Sequence, residues 1–104
     1  MNEFDRLIEE IRQFAQERNW EQFHTPKNLA MAITGESGEL AAEFQWLTAE
    51  QSSKSSLSAE KIRLIGLEMA DVQIYLLRLA DVLGVDLPEV VRNKMEINQN
   101  RFIR

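Results

Sequence analysis

Apolar residues recur at helical spacing through almost the whole of this chain, and nothing in it alternates with the period of a β-strand. From about Glu3 to Arg18, Phe4, Leu7, Ile8, Ile11, Phe14 and Ala15 follow three- and four-residue steps behind an acidic first turn. No Asn-Gly or Asp-Gly hairpin turn breaks the pattern into strands. Asn19 to His24 interrupt it, and Thr25-Pro26 reads as an N-cap followed by proline at the first helical position. A second helix is predicted from there to about Thr48. Glu50 to Leu57 form a polar loop containing four serines. Ser58 caps a third predicted helix ending near Leu83, with Gly84 placed as its C-terminal stop. Asp86 and Pro88 open a fourth, lasting to about Asn100. The chain contains no internal repeat, and its length supplies one hydrophobic core. The expected fold is therefore all-α, four helices in a single domain spanning 1–104.

Composition narrows the chemistry. The chain has no cysteine, hence no disulfide framework, thiolate metal site or thiol nucleophile. One histidine leaves almost no room for a His-rich zinc site or a Ser-His-Asp arrangement. A net charge of -5 argues against a nucleic-acid polymer or an anionic membrane as partner. No apolar run approaches the roughly 18 residues of a membrane span. The acidic first 15 residues have no leader-like apolar stretch. A soluble, cytoplasmic protein is the expectation.

Projecting the second helix at the α-helical period puts Leu29, Ala32, Ile33, Leu40 and Leu47 in one stripe. Glu36, Glu39 and Glu43 fall in or beside that stripe, while Thr34, Gly38, Gln45 and Thr48 occupy the opposite face. The third helix repeats the anomaly: Glu68 is centred among Leu64, Ile65, Val72, Leu76, Leu79, Val82 and Leu83, with Asp71 at the edge. A carboxylate facing a core costs several kcal/mol unless it is paired or binds a cation. Lys61, Arg63 and Arg78 could each neutralise only one. Glu36/Glu39 and Glu68/Asp71 each lie one turn apart, so antiparallel packing of the two helices would bring the pairs face to face. Four convergent carboxylates suit a hard cation, Mg²⁺ first and Mn²⁺ second; the plain alternative is a set of solvated surface acids. The third helix also carries Leu67, Ala70, Ile74 and Leu77 away from the main stripe. That predicts burial between subunits, or else a central place in its own fold.

These residues resemble a known family. Gly35-Glu36-Ser37-Gly38-Glu39-Leu40, followed on the next helix by Glu68-Met69-Ala70-Asp71, is similar to the E-x-x-E…E-x-x-D signature of the MazG-like all-α nucleoside triphosphate pyrophosphohydrolases. Trp20-Glu21-Gln22-Phe23-His24, Pro26-Lys27-Asn28-Leu29-Ala30 and Glu43-Phe44-Gln45-Trp46 resemble the dCTP pyrophosphatase branch of that family. So do Asp71-Val72-Gln73-Ile74-Tyr75-Leu76 and Lys94-Met95-Glu96-Ile97-Asn98. The resemblance implies a four-helix protomer in a homodimer or dimer of dimers, cleaving a nucleoside triphosphate to monophosphate and pyrophosphate. It makes Glu36, Glu39, Glu68 and Asp71 the Mg²⁺ ligands. It places Trp20, Phe23, His24, Trp46 and Tyr75 around base and sugar, and Lys94 and Asn98 at the phosphate end. Two departures stand out: Ile11 replaces a histidine carried by some relatives, and the serine-rich loop from Glu50 to Leu57 is unlike theirs.

The chemistry is coherent without the family. Divalent ions on four carboxylates turn an acidic patch into a phosphate site and supply an activated water, so no covalent nucleophile is needed. Glu39 and Glu43 are both candidates for accepting the water's proton, and Glu43 equally reads as a supporting or surface residue. A P-loop is absent. Lys94, Asn98 and Arg101 share one face of the fourth helix, suited to phosphate oxygens or simply to solvent. Trp20, Phe23 and Trp46 can stack on a base, although Trp20 and Phe23 could instead clamp the entry to the second helix. His24 could equally bond backbone there. Tyr75 lies one turn beyond Asp71 on the same face. The function expected is Mg²⁺-dependent hydrolysis of dCTP or related and modified nucleotides, cleansing the nucleotide pool. The alternatives are a relative acting on dUTP or a broad set of triphosphates, and a non-catalytic helical nucleotide-binding or interaction module.

Overall fold

The computed structural model describes residues 1–102. Four helices follow one another, α1 (Glu3–Glu17), α2 (Pro26–Ala42), α3 (Ala59–Leu83) and α4 (Leu87–Phe102), with a short 3₁₀ turn at Glu21–Phe23. The described residues include no strand. The starts are set by local chemistry. Asn2 accepts from the Asp5 amide at 2.9 Å, Thr25 from Asn28 at 3.1 Å and Ser58 from Lys61 at 3.0 Å, each satisfying one amide that the first turn leaves unpaired. Gly84 ends α3 at φ 69°, the left-handed region that a side chain resists. Asn19, at φ 55°, turns the chain back after α1 so that the Trp20 amide donates to the Ala15 carbonyl at 3.0 Å.

The second helix is shorter than its periodicity predicts. It stops at Ala42, with Glu43 as its cap, and residues 43–46 continue as turns. Trp46 and Leu47 are therefore not on a helix face. The serine-rich loop is a series of hydrogen-bonded turns: the Leu57 amide donates to the Ser53 carbonyl at 3.1 Å, and the Ser53 hydroxyl to that of Ser56 at 2.9 Å. Serine side chains competing for nearby backbone favour such turns over continued helix.

The helix α3 is the axis of the fold. α2 packs along it, and α1 packs against its C-terminal half. Cross-links between Glu43 and Lys61 and the approach of Glu36 to Glu68 show that α2 and α3 run antiparallel. Ala15, Leu29, Ile65, Leu77 and Ala80 form the buried apolar core. The third helix departs from its predicted stripe here: Leu77, expected away from the core, is 1% exposed, whereas Leu83, expected in it, is 56% exposed. The reason is that α1 covers one side of the last turns of α3, whereas among the described residues Leu83 on the other side stays uncovered. Leu67, Met69, Val90, Val91, Met95 and Ile97 are also exposed, and α4 lacks extended packing against the other helices. The radius of gyration is 16.5 Å, against about 13 Å for a compact chain of this length.

Candidate active site

Helical spacing and antiparallel packing together assemble the acidic site. Glu36 on α2 and Glu68 and Asp71 on α3 each place a carboxylate oxygen within 4.8 Å of the other two. Glu36 and Glu68 are half-buried and Asp71 is exposed. No ion pair among the described residues involves any of them or Glu39. The carboxyl of Glu68 is pushed above its ordinary range, first by burial and then by the charges of Asp71, Glu39, Glu43 and Glu36. Glu39 thus lies within electrostatic reach of the cluster, although it is exposed and outside the group of three. Glu43 differs again, because Lys61 donates to it at 2.8 Å. Oxygen donors alone, mutually repulsive and open to solvent on one side, fit a hard divalent cation.

Asp71 also belongs to a second feature. A cleft of about 180 Å³ opens beside it, lined by Ile11, Phe14, Trp20, His24, Ile74, Tyr75 and Arg78. Phe14 and Trp20 meet edge to face with centroids 5.5 Å apart, and Trp20 lies 6.1 Å from the His24 ring. The Arg18 guanidinium sits 3.4 Å over Phe14 and steadies the outer end of this wall. The dimensions suit a planar ring held between aromatic and aliphatic faces, with the carboxylates at one end.

Behind the cleft runs a polar chain that connects three segments. Arg12 on α1 binds Asp81 on α3 through both carboxylate oxygens, at 2.6 and 2.8 Å. Asp81 accepts a further bond from Arg78 at 3.2 Å, and Arg78 donates from Nε to Nδ1 of His24 at 3.1 Å. The Arg12 hydrogen bond leads in holding the Asp81 carboxyl below its usual range. Burial and then the neighbouring Arg78 charge lower His24.

The sequence-selected residues divide accordingly. Glu36, Glu68 and Asp71 converge, and Trp20, His24 and Tyr75 share the adjoining cleft. Phe23 and Trp46 do not line it; Phe23 is exposed on the 3₁₀ turn and Trp46 is 86% exposed. Lys94 and Asn98 lie on α4, where Asn98 lines a separate shallow recess with Arg92, Met95, Glu96 and Gln99. The basic residues near the acidic pairs do not neutralise the converging cluster: Lys61 takes Glu43, Arg63 takes Glu60 and Arg78 takes Asp81. Phe14, Ile74 and Arg78 are cleft residues that sequence reasoning did not select, and Ile11, noted there only as a departure from some relatives, lines the cleft as well. Arg78 carried a usable signal, the one cation in the largely apolar stretch from Ile74 to Leu83, with Asp81 three residues on.

Fold and site define a helical protein with an acidic, cation-seeking centre opening onto an aromatic cleft. Residues 31–103 match the MazG-like family, and the chain belongs to that family. It is 46% identical over 99 residues to dCTP pyrophosphatase 1 of Homo sapiens, covering 91% of this chain and 58% of that protein. The Bos taurus dCTP pyrophosphatase 1 is 43% identical over 99 residues, covering 91% and 59%. The chain thus spans less than two thirds of the length of these relatives. The crystal structure of a pyrophosphatase from Archaeoglobus fulgidus matches with a TM-score of 0.90 and 36% identity, over 100% of this chain and 95% of that one.

Proposed function

We propose that this protein is a nucleoside triphosphate pyrophosphohydrolase that acts on dCTP or a related or modified nucleotide with Mg²⁺. The observation that carries the reading is the sharing of Asp71 between the carboxylate cluster and the aromatic cleft. In it Glu36, Glu68 and Asp71, with Glu39 beside them, hold the cation, and Mn²⁺ is a chemically suitable substitute. When bound, the cation supplies positive charge for the triphosphate and lowers the pKa of a coordinated water. Glu39 is the better placed of the two candidate proton acceptors, because Glu43 already accepts from Lys61. Trp20 and Tyr75 flank the base and His24 bonds it. The similarity to proteins named dCTP pyrophosphatase supports this assignment.

In this reading the chain works as a single domain over 1–104 and assembles at least as a homodimer. The exposed apolar residues of α3 and α4 support that assembly. Phe23, Trp46, Lys94 and Asn98 then contribute to a site completed between copies, Lys94 and Asn98 at the phosphate end. Among the described residues no helix is long and apolar enough to cross a membrane. We place the enzyme in the cytoplasm, cleansing the nucleotide pool, with no nucleic-acid polymer as partner. The test is product analysis across a panel of nucleoside triphosphates, with Mg²⁺ and with chelator. Monophosphate plus pyrophosphate appearing only with the metal supports the reading, and the ranking across bases fixes the substrate. No cleavage with the metal bound overturns it.

A further inference from the structure

Arg78 is a charged residue in a largely apolar part of α3, only 6% exposed and aimed at an imidazole as well as a carboxylate. A guanidinium has donors only. His24 Nδ1, receiving a bond from Arg78 Nε at 3.1 Å, must therefore be the unprotonated nitrogen. In the neutral ring the proton is then on Nε2. That nitrogen makes no hydrogen bond among the described residues, and it is not sealed in, since no buried side-chain nitrogen or oxygen lacks a partner. The ring is part of the cleft wall.

We infer that Arg78, fixed by Asp81 and Arg12, is a positioning residue that holds His24 as the Nε2–H tautomer, so that the cleft wall offers one hydrogen-bond donor to an acceptor atom of the nucleotide. This deepens the functional reading above and rests on it for the identity of the ligand. Arg12 bonds both oxygens of Asp81, which leaves the aspartate little freedom to rotate and fixes where Arg78 can reach. The charge that acts on His24 is that of Arg78, the group bonded to its ring. Arg78 opposes a second ring proton, Asp81 is already shared by two guanidiniums, and Asp71 and Tyr75 of α3 line the same cleft. The tautomer has a consequence for recognition. A carbonyl or an unprotonated ring nitrogen is bound, whereas a ring N–H at that position leaves two donors facing each other.

His24 is the chain's one histidine, so a long-range ¹H–¹⁵N spectrum of uniformly labelled protein reports this ring alone. The wild type should show Nε2 protonated and Nδ1 bare near neutral pH; a protonated Nδ1 overturns the inference whatever the activity. Arg78→Met should mix the tautomers and raise KM about tenfold, with kcat nearly unchanged, as for one lost hydrogen bond. In a His24→Phe background the same substitution should change KM no further; an equal additional rise would mean that Arg78 acts on its own. Should Arg78→Met fail to fold, Asp81→Asn, which keeps both ring and guanidinium, is judged by the same spectrum and the same KM. A wild type with the stated tautomer but no triphosphate turnover rejects the functional reading and the nucleotide half of this inference, and leaves the tautomer assignment standing.

Discussion

Lys61 donates from Nζ to Glu43 Oε1 across 2.8 Å, and this bond separates Glu43 from the other acids of the site. Glu36, Glu39, Glu68 and Asp71 stand without such a partner among the described residues and repel one another; Glu43 is compensated and tied to the start of α3. Glu43→Gln should accordingly keep turnover within about tenfold of wild type. Glu39→Gln, which removes an uncommitted carboxylate beside the cluster, should cost about a hundredfold or more, the usual scale for general-base loss. Initial rates with saturating Mg²⁺ decide; equal effects would return Glu43 to the list of candidate bases.

Glu68 is ionised only against burial and like charge, so its folded pKa lies above its unfolded value. The ionised form therefore destabilises the metal-free fold once the pH exceeds that raised pKa. Glu68→Gln should melt higher than wild type without metal near pH 7, yet lose both turnover and the stabilisation that Mg²⁺ gives. For wild type that stabilisation should reach about 2.7 kcal/mol at a hundredfold excess of metal over Kd. Thermal melts with and without Mg²⁺ test both parts, and a variant that still gains from the metal would remove Glu68 from the ligand set.

Acid should lower the stability of the fold in two pH ranges. His24 is lowered, so the unfolded chain takes up its proton first, and stability falls as the pH drops below about 6.5. Asp81 is also lowered; its contribution is present above about pH 3.9 and is lost as the pH falls through its folded value. Denaturant midpoints measured against pH should show both, and His24→Phe should flatten only the first. A first range unchanged in that variant would mean another group is responsible.

Trp46 touches little within one copy of the chain. Trp46→Ala should change stability by no more than about 0.5 kcal/mol, as for an exposed residue free of tertiary roles. If assembly carries Trp46 over a nucleotide, the same variant raises KM. Unchanged KM across bases would exclude it from the site.

The exposed face of α3 and α4 makes its own prediction. Sedimentation should show a dimer or larger species at micromolar concentration, and Leu83→Glu or Ile97→Glu should dissociate it. A compact wild-type monomer would contradict the assembly.

Much of this was legible in the sequence because it depends on neighbours a few residues apart. The caps at Thr25 and Ser58, the stop at Gly84 and the one-turn spacing of Glu68 and Asp71 are local, and each follows from backbone valence or helical period. The end of α2 was less legible, since the apolar period runs on past Ala42 while the turn residues beyond it do not. Which acids converge, which one Lys61 neutralises, and that Leu77 is buried while Leu83 is not were decided by how α1 and α2 lie against α3. The chain from Arg12 to His24 joins residues far apart in sequence, and no periodicity records a contact between them. Local free energies write helices and their faces into the sequence; only packing determines which faces meet, and therefore which charges must share a partner.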